Sequence, residues 1–201
     1  MPAITIVDLI RHGEPVGGRK YRGCLDDPLS EKGWQQMWGA VGDFSGWQHI
    51  VTSPLMRCAG FADALGNRLG VGVLRDARLK EGDVGEWEGK LQSEICANEP
   101  LRLFEFKRDP VSRAPPGAEP ATEVHARVGE AWREMLERHR GKHVLVVTHA
   151  GVIRMMLSHA LGLPVGNVYR INVGNAGLSR VQIEHHGDEF LATLMFHGGR
   201  L

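Results

Sequence analysis

The chain has 201 residues, of which 42% are hydrophobic, and its 24 Lys and Arg balance its 24 Asp and Glu. This length and hydrophobic share suit one domain with a buried core, and we predict a single domain over residues 1–201. The balanced charge excludes an overall positive field, so nucleic acid and anionic membranes are not expected partners. Any attraction for a charged ligand must therefore come from a local cluster of side chains.

Three cysteines, Cys24, Cys58 and Cys96, are spread along the chain. Their odd number and the lack of a CxxC pair argue against a disulfide framework and against a zinc ribbon. The start of the chain lacks the basic residues and the apolar run of a signal peptide, and no stretch of roughly 18 apolar residues occurs. We therefore expect reduced thiols, a cytoplasmic location and no membrane-spanning segment.

Strand patterns and helix patterns alternate along most of the chain. The first strand is rich in β-branched residues and stops at Arg11, where a Gly-rich loop begins. Ser30 is typical of a helix N-cap, and Ser53 followed by Pro54 predicts a second cap with proline at the first helical position. The predicted strands cover residues 4–10, 49–52, 71–74, 143–148, 178–184 and 190–196. The predicted helices cover residues 31–41, 54–69, 91–107 with a break at Pro100, 122–139 and 151–161.

This alternation of strands and helices predicts an α/β fold built from right-handed βαβ units. The sheet of such a fold is mostly parallel and is covered by helices on both faces. The last two strands are joined by a short His-His-Gly-Asp turn and predict a hairpin, which would give the sheet an antiparallel edge strand. In sheets of this kind the ligand site lies beyond the carboxyl ends of the strands.

Charged and imidazole side chains follow four of the predicted strands. Arg11 and His12 follow the first strand and Arg57 follows the second. Glu81 comes shortly after the third strand and His149 follows the fourth. Two guanidinium groups can grip a phosphate dianion through forked hydrogen bonds, and the free amides at the starts of the following helices also favour anions. The convergence of these residues at one edge of the sheet therefore predicts a site for phosphoryl transfer.

A neutral imidazole can act as the nucleophile in such a cluster, since neighbouring positive charge lowers the pKa of histidine. His12 is the candidate, because the following Gly13 lets the backbone pass close to a phosphate. His149 would hold the phosphoryl oxygens in the transition state, and Glu81 would protonate the leaving group and later activate water. This cycle needs no metal and no cofactor. A zinc site made of His12, His149 and Glu81 is an alternative, but two neighbouring arginines would repel the cation.

Five short motifs surround these site residues and lie within residues 7–154. They read Leu9-Ile10-Arg11-His12-Gly13-Glu14, Asp27-Pro28-Leu29-Ser30-Glu31-Lys32-Gly33, Ser53-Pro54-Leu55-Met56-Arg57, Leu79-Lys80-Glu81 with Gly85-Glu86-Trp87-Glu88-Gly89, and Val146-Val147-Thr148-His149-Ala150-Gly151. Together and in this order they resemble the signatures of the histidine phosphatase superfamily, the phosphoglycerate-mutase-like enzymes.

The resemblance implies a three-layer α/β/α sandwich with a mostly parallel sheet. It also implies that His12 becomes a phosphohistidine and that Glu81 is the proton donor. The remaining strand-end residues would complete the phosphate pocket: Arg11, Arg57 and His149. Three further candidates for substrate binding fall where members of the superfamily line the substrate mouth or where the second histidine begins a helix: Arg22, Gly23 and Ala150.

Within the superfamily, the Gly-rich loop around Arg22, the Leu25-Asp26-Asp27 turn and the short middle segment resemble the alpha-ribazole phosphatase branch. This resemblance implies hydrolysis of alpha-ribazole 5′-phosphate, a precursor in cobalamin biosynthesis. Mutases of the superfamily are similar in the core but carry a longer insertion between the positions of Glu81 and His149. A phosphoglycerate mutase and a broad-specificity sugar or nucleotide phosphatase are the enzyme alternatives. A module that binds phosphorylated ligands without turnover is disfavoured, because the nucleophile and the acid are both present.

The expected partner is thus a small-molecule phosphate ester. Trp34, Trp38 and Trp47 lie close together in the sequence and are candidates for an exposed face that mediates a homodimer contact.

Overall fold

Six strands form one mixed sheet in the computed structural model, which describes residues 3–187 and 189–199. In chain order they are β1 (Ala3–Arg11), β2 (His49–Thr52), β3 (Val73–Arg75), β4 (His143–Thr148), β5 (Leu178–His186) and β6 (Glu189–Gly199). Their order across the sheet is β3-β2-β4-β1-β5-β6. The first four strands pair in parallel, whereas β5 is antiparallel to both β1 and β6. The α/β prediction is confirmed, and the β5–β6 hairpin forms the antiparallel edge.

Helices cover both faces of the sheet. One face carries α1 (Glu31–Val41) and α2 (Met56–Leu69), and the other carries α5 (Ala121–Arg138) and α6 (Ala150–Leu161). Strand β4 is buried on both sides because residues 144–147 are apolar without interruption. Val144 and Val146 pack towards α5 and α6, whereas Leu145 and Val147 pack towards α1 and α2. This three-layer arrangement is the one that the sequence predicts.

The remaining elements are short. They are α3 (Gln92–Ile95), α4 (Arg102–Arg108) and three 3₁₀ turns at Ala77–Leu79, Gly85–Trp87 and Val165–Arg170. Trp87, Ile95 and Leu103 form a small apolar cluster of their own, separate from the two main cores. Within the two described ranges, no helix combines the length and the apolar character needed to cross a membrane.

The register of the sheet sets the carboxyl ends of three central strands at one level. Arg11 at the end of β1 is paired with Thr148 at the end of β4, and Thr52 at the end of β2 is paired with Val147. The residues that follow these strands are therefore neighbours, although the first and the last are separated by about 140 positions in the sequence.

Most element boundaries shift by one to three residues from the prediction, and the helix predicted over 91–107 is interrupted over residues 96–101 and not only at Pro100. Two of the shifts have a clear cause in the hydrogen bonds. Helix α2 begins at Met56 and not at Pro54, because the Ser53 hydroxyl bonds to the Leu55 N–H and to His149, which leaves Leu55 extended. Strand β3 begins at Val73 and not two residues earlier, because the Val71 N–H still donates to the Gly66 carbonyl at the end of α2.

A buried carboxylate inside β1 was not predicted. The side chain of Asp8 is fully buried and accepts hydrogen bonds from Trp47 Nε1, His143 Nε2 and the Arg180 guanidinium, at 2.8–2.9 Å. Burial alone would raise the pKa of Asp8, but the bonds from Arg180, His143 and Trp47 outweigh it, so this pKa lies below its usual value. The network ties β1, β4 and β5 to the loop before β2.

Trp47 does not lie on the exposed face that the sequence predicts for a dimer contact. Trp47 is only 2% exposed, because its indole lies in the core and bonds to Asp8. Trp34 and Trp38 are half-buried, and both rings pack against the buried ring of Phe61. The prediction is therefore wrong for Trp47, and the other two rings serve the packing of α1 on α2.

Candidate active site

Four side chains meet at the carboxyl ends of β1, β2 and β4. We call this group the phosphate cradle, and it consists of Arg11, His12, Arg57 and His149. His12 and His149 follow β1 and β4 directly, and their ring centroids are 5.2 Å apart. Arg57 is the second residue of α2, which follows β2. The structure thus brings together four of the five residues that the sequence places at this edge, and the fifth is Glu81.

His12 is held as a neutral imidazole with one defined proton position. Its Nδ1 lies 2.8 Å from the Gly13 carbonyl oxygen, which can only accept, so Nδ1 carries the proton and Nε2 keeps its lone pair. Burial lowers the pKa of His12 to about 3, and the charge of Arg11 adds to this effect. Gly13 is also required for packing, because a Cβ there would collide with the Gly33 carbonyl.

His149 is completely buried beside His12. Its Nε2 lies 2.8 Å from the Ser53 hydroxyl oxygen. Burial lowers the pKa of His149 well below its ordinary value, and the nearby charges act in the same direction. Ser53 is a site residue that the sequence analysis interpreted only as a helix cap. It is the first residue of the Ser53-to-Arg57 motif, but only the fold shows that its hydroxyl bonds to the second histidine.

The two cradle arginines carry buried donors without acceptors. Arg57 is 1% exposed, and its Nη1 and Nη2 donate to the carbonyls of Leu25 and Gly23 at 2.5 and 3.2 Å. Arg11 Nη1 donates to the Val173 carbonyl at 2.8 Å, and burial lowers the pKa of Arg11 to about 10. The Nε atoms of both arginines are buried without a partner among the described residues. An unpaired buried donor is costly, so this arrangement is suited to an incoming anion.

Glu81 reaches the same edge from the loop after β3. Its Oε2 accepts from the Gly151 N–H at 3.1 Å and its Oε1 accepts from the Gly82 N–H at 3.2 Å. A Cβ at position 151 would collide with the Glu81 carboxylate, so only glycine lets the acid sit against the first turn of α6. Ala150, the first residue of this helix, is half-buried beside it. The carboxyl group is therefore oriented by backbone amides at the helix start.

Arg22 lies in the mouth loop, which we define as residues 16–27. Its Nε pairs with Asp27 at 2.7 Å, and its Nη1 and Nη2 donate to the carbonyls of Gly18 and Val16 at 2.7 and 2.8 Å. All three nitrogens are thus occupied within the loop. Its charge nevertheless contributes to the lowered pKa of His12, after burial, Arg11 and Arg57. Arg22 therefore shapes the mouth loop and adds positive potential to the cradle.

Glu88 ties the mouth loop to the cradle and was not predicted as a site residue. Its carboxylate accepts from the N–H groups of Gly23, Cys24 and Leu25 at 3.0–3.2 Å. The carbonyls of Gly23 and Leu25 in turn accept from Arg57. Glu88 thus positions Arg57 through two loop carbonyls. The sequence signal that could have identified Glu88 is its place in the Gly85-to-Gly89 motif.

A metal-ligand geometry occurs only away from the cradle in the described part of the chain. The ligand atoms of Cys24, Asp83 and Glu88 lie within 4.8 Å of one another. The Glu88 carboxylate already accepts three backbone N–H groups, and Cys24 Sγ lies 3.4 Å from an Asp83 oxygen. These contacts account for the cluster as part of the mouth loop.

Comparison with curated sequences places this chain among two kinds of relatives. It is 34% identical over 176 residues to the "Bifunctional protein Rv2228c" of Mycobacterium tuberculosis, and the match covers 85% of this chain and 48% of that protein. The chain thus spans about half the length of its mycobacterial relatives. It is 33% identical over 184 residues to the "Probable phosphoglycerate mutase GpmB" of Klebsiella pneumoniae, with 89% of this chain and 85% of that protein covered.

Solved structures show the same fold. The mycobacterial glucosyl-3-phosphoglycerate phosphatase Rv2419c aligns with a TM-score of 0.87 at 28% identity, over 98% of this chain and 99% of that one. The alpha-ribazole phosphatase from Shigella flexneri aligns with a TM-score of 0.78 at 23% identity, over 97% and 96%. The family model of the histidine phosphatase superfamily (branch 1) matches residues 7–194. The chain therefore belongs to the histidine phosphatase superfamily.

Proposed function

We propose that this chain is a metal-independent phosphatase that forms a phosphohistidine at Nε2 of His12. The observation that carries the proposal is the cradle itself. A neutral imidazole with a defined lone pair is surrounded by guanidinium groups whose buried Nε donors have no acceptor among the described residues. Such a site is complementary to a phosphate dianion and to the charge that develops on its oxygens during transfer.

In the first step, His12 Nε2 attacks the phosphorus of a phosphate monoester. The N–P bond forms as the bond from phosphorus to the ester oxygen breaks, and protonated Glu81 gives its proton to the leaving alkoxide. The products are an alcohol and a phosphohistidine. Arg11, Arg57 and neutral His149 hold the three phosphoryl oxygens by hydrogen bonds during this transfer.

In the second step, water attacks the phosphorus of the phosphohistidine. The Glu81 carboxylate takes a proton from the water, the new O–P bond forms, and the N–P bond breaks. Inorganic phosphate leaves, and His12 returns to the neutral state with its Nδ1 proton still directed at Gly13. Glu81 is protonated again and ready for the next substrate.

Two substrates are candidates. Alpha-ribazole 5′-phosphate follows from the mouth-loop and turn features of the sequence, and it would place the chain in cobalamin biosynthesis. A phosphoglycerate ester follows from the 28% identity to the glucosyl-3-phosphoglycerate phosphatase, which exceeds the 23% identity to the alpha-ribazole phosphatase. We also propose a cytoplasmic location, which is supported by three free thiols at Cys24, Cys58 and Cys96.

Mutase activity is the second candidate function, because relatives at 33% identity are described as phosphoglycerate mutases. A mutase returns the phosphoryl group of the phosphohistidine to a second hydroxyl of the substrate, whereas a phosphatase transfers it to water. The segment between Glu81 and α5 contains only the 3₁₀ turn at Gly85–Trp87, α3, α4 and short loops among its secondary structure, which favours hydrolysis.

The test is phosphate release at pH 7 in excess chelator. The panel contains alpha-ribazole 5′-phosphate, glucosyl-3-phosphoglycerate, 3-phosphoglycerate and 4-nitrophenyl phosphate. We expect turnover that is unchanged by the chelator. Turnover that disappears in chelator and returns with a divalent cation would contradict the mechanism. Conversion of 3-phosphoglycerate to its 2-phospho isomer without phosphate release would establish the mutase instead.

A further inference from the structure

Arg154 is a half-buried cation beside the cradle that the proposed mechanism does not use. It lies on α6, one turn beyond Ala150. Its Nε donates to the Ile171 carbonyl at 2.9 Å, and its guanidinium carbon lies 4.8 Å from the centroid of the Tyr169 ring. Its two Nη groups have no hydrogen-bond acceptor within the ranges that the structure describes.

The other half-buried arginines show why this is unusual. The described residues include eight arginines that are buried or half-buried. Five of them form an ion pair with a carboxylate: Arg22, Arg78, Arg102, Arg127 and Arg180. The other three are Arg11, Arg57 and Arg154. Because the first two form the phosphate cradle, a sheltered guanidinium without a carboxylate marks a place for an external anion in this molecule.

Arg154 and the cradle residue Arg11 both bond to the same short segment of the backbone, residues 171–173. Arg154 bonds to the carbonyl of Ile171, and Arg11 bonds to the carbonyl of Val173. The α-carbons of two residues so spaced are at most about 7 Å apart. The charges also interact. Burial is the main cause of the lowered pKa of Arg11, Glu81 counteracts it, and Arg154 adds to it.

The orientation of Arg154 suits a carboxylate. Because Nε is occupied by Ile171, the guanidinium presents Nη1 and Nη2 side by side, which matches the two oxygens of a carboxylate end-on. The guanidinium stacks on the ring of Tyr169. Burial raises the pKa of this tyrosine, so its hydroxyl stays protonated and can donate a hydrogen bond. Within the described part of the chain, no carboxylate forms an ion pair with Arg154.

We propose that Arg154 forms a second anion subsite that binds a carboxylate of the substrate while the cradle holds its phosphate. This inference rests on the proposed function and narrows its substrate class. The substrate is then a phosphate monoester with a carboxylate close to the ester, as in phosphoglycerates and their derivatives. Alpha-ribazole 5′-phosphate has no anionic group besides its phosphate and would leave the subsite unused.

The test uses two substrates that differ in one group. 3-Phosphoglycerate carries a carboxylate where glycerol 3-phosphate carries a hydroxymethyl group. We expect the natural chain to prefer 3-phosphoglycerate by about tenfold or more in kcat/KM. Arg154→Met should lower kcat/KM for 3-phosphoglycerate about 10- to 100-fold, mainly through KM, since a charged hydrogen-bond pair is lost. Glycerol 3-phosphate and 4-nitrophenyl phosphate should change less than about threefold.

Two further variants serve as controls. Arg154→Lys keeps the charge and should retain part of the preference, whereas Arg170→Met removes an exposed arginine nearby and should leave it unchanged. If Arg154→Met lowers kcat/KM equally for all substrates, Arg154 only holds the segment around Ile171 in place, and the proposed subsite is wrong. If the chain hydrolyses 4-nitrophenyl phosphate but has equal kcat/KM for 3-phosphoglycerate and glycerol 3-phosphate, the proposed subsite is also wrong. The proposed phosphatase function would stand in that case.

Failure of the proposed function is distinguishable from failure of the subsite. If no ester is hydrolysed, the phosphatase proposal falls. Thermal stabilisation of the natural chain and of Arg154→Met by 3-phosphoglycerate and by glycerol 3-phosphate then still tests the subsite. Stronger stabilisation by 3-phosphoglycerate that disappears in Arg154→Met would support it, and equal stabilisation of both proteins would overturn it.

Discussion

The phosphate cradle and the mouth loop are assembled in different ways. Each cradle residue lies at the end of a strand, directly after it, or in the first turn of the helix that follows, so the strand register brings the four side chains together. The mouth loop has no strand or helix of its own between Val16 and Asp27. It is held by two side chains that bond to its backbone. Arg22 belongs to the loop itself, and Glu88 belongs to a later segment of the chain.

We expect the cradle to carry out the chemistry and the region around it to select the substrate. The cradle is largely buried and cationic, and its groups are suited to the phosphate that all phosphate monoesters share. The mouth loop, Tyr169 and Arg154 lie around the cradle, and we expect them to influence which substrates bind. Changes in the cradle should therefore affect all substrates, whereas changes around it should affect some substrates more than others.

The largest effect is expected for the nucleophile. His12→Asn removes the Nε2 lone pair while it keeps a polar side chain of similar size. We expect kcat/KM to fall by at least about 10³-fold for every phosphate ester, because no other group can accept the phosphoryl group. His186→Asn, which changes an exposed histidine on β5, should leave the rate unchanged. Residual activity of His12→Asn within tenfold of the natural chain would contradict the assignment.

Glu81→Gln is expected to distinguish substrates by their leaving groups. The amide cannot donate a proton as an acid, so alkyl phosphates should slow by about 10²- to 10⁴-fold. An aryl phosphate, whose leaving group needs little protonation, should slow by less than about tenfold. Phosphate release measured on both ester types decides the point. The matched control is Glu86→Gln at an exposed neighbouring position, and equal losses on both ester types would remove Glu81 from the role of general acid.

Glu88→Gln tests the link between the mouth loop and the cradle. The amide keeps one acceptor oxygen but replaces the other by a donor, so the Gly23–Leu25 amides lose part of their support. We expect kcat/KM to fall about 3- to 20-fold on aryl and alkyl phosphates alike, and the inhibition constant of vanadate to rise by a similar factor. A lower thermal stability with normal kinetics and normal vanadate binding would show that Glu88 does not position Arg57.

Asp8→Asn should change stability but not catalysis. Asp8 lies four residues before His12, about 13 Å along the strand. The depressed pKa of Asp8 means that the network stabilises the fold above about pH 4 and that this contribution disappears as the pH falls through the folded pKa. Removing the buried charge should cost about 3 kcal/mol in the free energy of unfolding at pH 7. Denaturant unfolding measures this, with exposed Asp43→Asn as the control.

Much of the fold was predictable because local patterns agree with it. Residues 31–41 and 143–148 have the boundaries that their patterns predict, and the Ser30 hydroxyl caps α1 by accepting from the Gly33 N–H at 3.0 Å. The cradle was predictable because its residues lie next to regular strands. The parallel-strand rule then places them at one edge without any knowledge of side-chain geometry.

The unpredicted features are contacts between distant parts of the chain. Ser53 bonds to His149, Asp8 bonds to Arg180, and Arg154 bonds to Ile171, and no local pattern distinguishes these residues from caps, strand positions or helix surface. Whether a charged side chain is paired or free decides its role here. That property depends on the tertiary structure and is not encoded in the spacing of residues along the chain.

The most direct test of the account is to trap the phosphorylated protein during turnover. The reaction with a phosphate ester is quenched after a few milliseconds in strong base, and the modified residue is located by mass spectrometry. We expect a phosphoryl group on His12 that is stable to base, labile to acid and absent from His12→Asn. A phosphoryl group on another residue, or steady turnover by His12→Asn, would contradict the central claim that His12 carries the phosphoryl group between the ester and water.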